Sequence, residues 1–200
     1  MFKKDYLVIT SLDRFIIYDM KTWEAYDLKL PYTPAPNIPF YHYIWEMDDN
    51  DMKSLLPSGV ETGGIIGTSF YVLLPDDALE TDKKVIVEFF LRIGAKKVTA
   101  SKQCTLLADW KSPYVCLSMT SRLVVLSYIV SGEIAAQNFY DKDKFDVSQL
   151  STYISLLHQD CRNTDPQLYI NNMWETGLPL DYGICVSLEE VVDRCHSLNA

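Results

Sequence analysis

The chain has 200 residues, 48% hydrophobic and 22% charged, enough apolar material for one large domain or two small ones, which argues against intrinsic disorder. Its formal charge of −9, with no basic cluster longer than the pairs Lys3-Lys4, Lys83-Lys84 and Lys96-Lys97, excludes nucleic acid as an expected partner, because neutralising phosphates needs clustered cations. No apolar run reaches the roughly 18 residues of a membrane span, and "MFKKDYLVIT" lacks the apolar core of a signal peptide, so a cytoplasmic protein with no direct membrane span is expected.

Residues 6–28 predict three strands, "YLVIT", "RFIIYD" and "WEAYDL", from their alternation and aromatic content. Four prolines between Pro31 and Pro39 then predict an extended connector, since each fixes φ and pushes its predecessor out of the helical region. "FYHYIWEM" follows as an aromatic strand, with Phe40, His42 and Ile44 on one face and Tyr41, Tyr43 and Trp45 on the other. Rings on both faces make Tyr43 and Trp45 the candidate anchors of a partner or homodimer surface. "DDNDMKSLL" reads as the start of a short helix whose acidic residues suit its N-terminus, and "GGIIG" at Gly63 to Gly67 as a hinge.

"FYVLLP" is a buried strand. After it, Ile86, Phe89, Phe90 and Ile93 recur at helical spacing and Gly94 stands where a C-terminal cap belongs. "KKVTAS" returns as a strand, predicting a parallel pair. Residues 113–140 then repeat the opening meander as "YVCLSM", "RLVVLSYIV" and "EIAAQNFY", with Ser131-Gly132 as a turn. Tyr6 to Tyr18 aligns without a gap on Tyr114 to Leu126 at an offset of 108, which sets Arg14 on Arg122. A helix "FDVSQLSTYISLLHQ", a strand "QLYIN", the turn "ETGLP", a strand "DYGICV" and a helix opened by the capping box Ser187-Leu188-Glu189-Glu190 complete the chain. The order predicts an α/β fold of two similar halves, residues 1–109 and 110–200.

The motifs test little chemistry. No Walker pattern or G-x-S-x-G occurs, His42, His158 and His196 stand in no recognisable nucleophile signature, and "DDND" lacks the later ligands of a calcium loop. Cys104, Cys116, Cys161, Cys185 and Cys195 form no C-x-x-C pair and read as reduced thiols; Cys195-His196 with Cys161 or His158 matches no zinc spacing, so no metal site is expected.

A meander with helical crossovers, present twice, is similar to the duplicated ribonuclease-H-like core of actins, sugar kinases and Hsp70-type chaperones. Within that superfamily "YVLLPDDALETDKKVIVEFFLRIGAKKV", "KFDVSQLSTYI" and "ETGLPL" most resemble the rod-shape-determining, MreB-like bacterial actins. The resemblance covers nearly the whole chain, with one subdomain missing between His158 and Pro166 and another reduced to a stub between Pro31 and Pro57. In such proteins the two hairpin turns carry Asp-x-Gly-Thr and Asp-x-Gly-Gly-Gly patterns that grip nucleotide phosphates. Glycines let amides approach the phosphate, and carboxylates hold hydrated magnesium.

Here the first turn is Thr10-Ser11-Leu12-Asp13 and the second is Ser118-Met119-Thr120-Ser121-Arg122, so both glycine patterns are replaced, and Leu12 and Met119 add bulk. "SKQCTLLADW" also stands in place of the family's Glu-Pro-x-Ala-Ala. The resemblance therefore implies a non-catalytic actin-like protein, without cofactor, binding a protein partner or itself as an adaptor or regulator in bacterial cytoskeletal, cell-shape or envelope assembly. The alternatives are an assembly component of a secretion or pilus system, and a divergent ATPase or kinase that uses Asp13. Nucleotide binding and nucleotide-dependent filaments are not expected.

Overall fold

The computed structural model describes residues 4–35, 37–62, 67–174, 177–178 and 180–199. Most of "GGIIG" and of "ETGLP" lies outside them. Two compact units divide the chain, Met1–Lys102 and Gln103–Ala200.

In the first unit β1 (Lys4–Thr10), β2 (Phe15–Asp19) and β3 (Ala25–Leu28) form an antiparallel meander. β4 (Thr68–Leu74) lies parallel to β1, and β5 (Lys97–Lys102) parallel to β4, giving the order β3-β2-β1-β4-β5. In the second unit β6 (Tyr114–Met119), β7 (Leu123–Val130) and β8 (Glu133–Asp141) form the meander, with β9 (Gln167–Asn171) and β10 (Ile184–Val186) parallel beyond it. That sheet runs β8-β7-β6-β9-β10, the same topology a second time. The duplication is therefore real at the level of strand order, as the repeated meander predicts.

Local chemistry explains most boundaries. A short helix, α1 (Asp49–Ser54), follows the aromatic segment, and Gly94 takes φ 110 with its amide bonding Leu91 O, closing helix α2 (Glu80–Arg92), because only a residue without Cβ adopts that backbone without strain. Ser131 and Gly132 both have positive φ, the backbone of a two-residue hairpin turn between β7 and β8. Ser187 N–H donates to Glu190 Oε2 at 2.8 Å and Glu190 N–H to Ser187 Oγ at 3.3 Å, the reciprocal box that starts α5 (Leu188–Asn199).

Three expectations change. "FYHYIWEM" is a 3-10 helix over Phe40–Glu46 and not a strand. Pro39 sits at its N-terminus with a preset φ of −59, and His42 N–H bonds Pro39 O, the i to i+3 pattern of a 3-10 turn. The buried side chains are Phe40, Tyr41 and Ile44, a spacing near three that alternation between two faces cannot produce. The helix over residues 145–159 is likewise broken. A 3-10 turn, Val147–Gln149, leads into α3 (Leu150–Leu157); His158 is extended at φ −152 and caps a separate α4 (Gln159–Thr164), its Nδ1 accepting from Asp160 N–H. Finally, two strands are shorter than expected: the third begins at Ala25, because Trp23 turns with φ 60, and "DYGICV" is a strand only over Ile184–Val186, after a 3-10 turn over Leu180–Tyr182.

Phe15 is the hub of the first core. Its ring meets Phe40 at 4.9 Å, Phe90 at 5.3 Å and Phe89 at 5.8 Å, joining β2, the 3-10 helix and α2. Fully burying each such ring contributes about 1.5–3 kcal/mol. The second core gathers Val115, Leu117, Val124 and Leu126 of the sheet with Leu150, Leu157 and Cys161 of α3 and α4.

Candidate functional site

The two hairpin turns close in the same way. Ser11 N–H donates to Arg14 O at 2.9 Å, while Ser11 Oγ accepts from the amides of Asp13 and Arg14, each at 3.2 Å. Thr120 N–H donates to Leu123 O at 2.9 Å, and Thr120 Oγ1 accepts from the amides of Arg122 at 3.2 Å and Leu123 at 3.0 Å. Each hydroxyl thereby replaces the backbone acceptor that the turn lacks.

This geometry corrects the repeat register. Thr10 pairs with Phe15 and Met119 with Val124, so the equivalent turn residues are Ser11 and Thr120, an offset of 109 and not 108. Arg14 is the counterpart of Leu123, and Arg122 is the counterpart of Asp13. The ungapped alignment matched tyrosines and arginines, but the hydrogen bonds that close the turn fix the register. The two halves therefore carry opposite charges at one position.

Thr10, Ser11, Ser118 and Thr120 are buried, Leu12 is 41% exposed at the first tip, and Met119 packs against the second core. Asp13 Oδ1 accepts the Ser11 hydroxyl at 3.0 Å and its Oδ2 faces Arg14 at 3.4 Å. Arg14 Nε also lies 3.1 Å from Asp27. Ser121 O accepts from Lys142 Nζ, pinning the second turn to the residue that follows β8.

The polar groups of both turns are already engaged within the turns themselves. At each one, three amides are spent on internal bonds, and Asp13 already faces the Arg14 guanidinium. Among the described residues no three His, Cys, Asp or Glu side chains are placed to hold a metal ion together. Cys195 is buried on α5, its thiol pushed up to about 11 by that burial, while the adjacent His196 is exposed. Burial likewise pushes the Cys161 thiol up.

The aromatic 3-10 helix is clamped from two sides. His42 Nε2 lies 2.7 Å from Asp82 Oδ1, and Asp82 Oδ2 accepts the Leu79 amide at the start of α2. Tyr43 is half-buried; its ring stacks on Tyr32 at 5.4 Å and its hydroxyl accepts from Ala35 N–H. Trp45 is 64% exposed, beside Val85, Glu88, Phe89 and Arg92 of α2. Sequence reasoning picked both rings but missed the clamp, whose signal is the Asp three residues after Leu79, a capping position. It also missed a groove of about 360 Å³ in the second unit, between the 106–110 segment and α5, lined by Leu106, Trp110 and Arg194.

Two strand orders of one kind, each a meander with parallel additions, have a counterpart among solved structures. MreB5 of Spiroplasma citri bound to AMPPNP superposes with a TM-score of 0.50 at 11% identity, over 84% of this chain and 59% of that one. The fold is actin-like. The ethanolamine utilization protein EutJ of Carboxydothermus hydrogenoformans matches at 10% identity and a TM-score of 0.48, covering 94% of this chain and 86% of that one. The AlfA filament from a B. subtilis plasmid matches at 10% and 0.45, covering 92% and 91%. No protein-family model matches the sequence, and no curated protein does. The actin-like chain spans about three fifths of the length of MreB5 and lacks most inserted subdomains. No described helix is long and apolar enough to cross a membrane.

Proposed function

We propose that this actin-like chain is a non-catalytic adaptor or regulator that binds a protein partner in bacterial cytoskeletal, cell-shape or envelope assembly. The observation that carries the reading is the closure of both hairpin turns by Ser11 and Thr120. Each hydroxyl takes two amides that a phosphate-gripping turn would present. Trp45 supports the binding role: it is a large ring held out by a segment whose neighbours Phe40, Tyr41 and Ile44 are buried, and an aromatic that gives up little freedom on contact makes a strong anchor. Tyr43 backs it from Tyr32. Cytoplasmic placement and the absence of a cofactor belong to the same reading.

Nucleotide binding is the decisive test. At about 5 mM, a magnesium nucleotide with Kd near 1 mM would stabilise the protein by about 1 kcal/mol, raising the melting temperature by about 2–4 °C. The expected result with ATP or GTP is no shift and no calorimetric heat. A magnesium-dependent shift of that size overturns the reading in favour of a divergent ATPase or kinase.

A further inference from the structure

We infer that the Trp45 face docks a basic segment of the partner, one that places Lys or Arg side chains on the indole and among the carboxylates around it. The inference rests on the adaptor reading and adds the partner's chemistry. The segment that bears Trp45 is fixed on one side by the buried Phe40, Tyr41 and Ile44 and on the other by the His42–Asp82 contact. The backbone that carries the ring is therefore held in place, so the segment pays little ordering cost when a partner meets it.

Charge decides the kind of partner. Glu46, Asp48, Asp49 and Asp51 follow Trp45 in the chain and are all exposed, and Glu88 is exposed on the α2 turn beside the ring. Against these five carboxylates stand three cations, Lys53, Lys84 and Arg92, and Arg92 is already held by Asp49 at 2.6 Å. The face thus carries surplus negative charge next to an open indole. A cation set against the ring gains from its quadrupole, and its neighbours gain from the carboxylates. A second copy of this chain would instead bring its own Glu46–Asp51 stretch against the same charges, so self-docking through this face is disfavoured.

The test uses the full chain and a short soluble peptide rich in lysine and leucine, with a twin carrying glutamate in place of lysine. The expected result is that the lysine peptide binds and the glutamate twin does not. Affinity should fall at least about tenfold between roughly 50 and 300 mM NaCl, as screening shortens the reach of the charges. Trp45→Ser should weaken binding about thirtyfold, as loss of a central anchor does, while melting within about a degree of the parent, as a mostly exposed residue allows. Glu88→Lys should weaken binding, whereas Glu133→Lys, the same charge change on β8 in the other unit, should leave it unchanged.

Any of four results overturns the inference: no binding of the lysine peptide, equal binding of both peptides, undiminished binding by Trp45→Ser, or equal losses from Glu88→Lys and Glu133→Lys. The last would mean that net charge alone attracts the peptide. These failures are separable from failure of the adaptor reading, which is decided by magnesium nucleotide.

Discussion

Ser11 and Thr120 show how one hydroxyl can settle what a turn is able to do. Each accepts two amides at 3.0–3.2 Å and is more than nine-tenths buried, so its removal strands donors with little water to replace the bond. Ser11→Ala and Thr120→Ala should each lower stability by about 1–2 kcal/mol in urea titration; Ser11→Thr should keep most of it. If the alanine variants lose nothing, the hydroxyls do not close the turns. A second residue-scale consequence concerns Cys195, whose thiol burial pushes up to about 11 from an ordinary value near 9. The folded state then holds a proton that the unfolded state gives up, so stability is full below about pH 9 and declines as pH rises towards 11. Denaturation midpoints between pH 9 and 11 should fall less steeply in Cys195→Ala than in the parent. Parallel slopes would rule Cys195 out as a source of alkaline sensitivity.

The 3-10 helix and α2 act as one element because Asp82 serves both. Its carboxylate caps the Leu79 amide and meets His42, with only 4% of its side chain exposed. Asp82→Ala should cost about 1–2 kcal/mol, combining a lost cap with the lost contact to the half-buried His42 ring, and should loosen Trp45, read as lower steady-state anisotropy of its emission in a chain where the other tryptophans are replaced. Unchanged stability would mean that the clamp is incidental. Gly94, Ser131-Gly132 and the Ser187 box were legible in the sequence because a few neighbouring atoms decide each one. The meander order was legible because strand alternation recurs in both halves. The 39–47 segment was misread because rings at every position satisfy alternation and a 3-10 spacing alike, and what separates them is Pro39 and the distant partners Phe15 and Asp82. Likewise, both turns were visible as polar interruptions between apolar runs, but the commitment of their amides and the shift from 108 to 109 depend on hydrogen bonds that side-by-side lettering does not register.

At the scale of the whole molecule, the same sheet order in both units shows that the actin-like framework survives changes at the turns, because strand pairing and core packing do not depend on them. In each unit the hairpin strands supply core positions, Tyr6 and Val8 in the first and Val115 and Leu117 in the second, and the turns lie at the strand ends beyond. A turn can therefore differ in sequence and charge between the two units while the fold keeps its stability. Assembly driven by nucleotide requires a ligand with different affinity for two states, and a ligand that binds neither shifts nothing. On the adaptor reading, ATP has no such differential here. High-speed sedimentation of the purified chain should accordingly leave the same fraction in the supernatant with magnesium ATP, with magnesium ADP and without nucleotide. Pelleting that appears only with ATP would refute this and return the chain to the nucleotide-switched class. Pelleting that is equal in all three conditions would show self-association by contacts that the turns do not govern, and Ser11→Ala should then leave it unaltered.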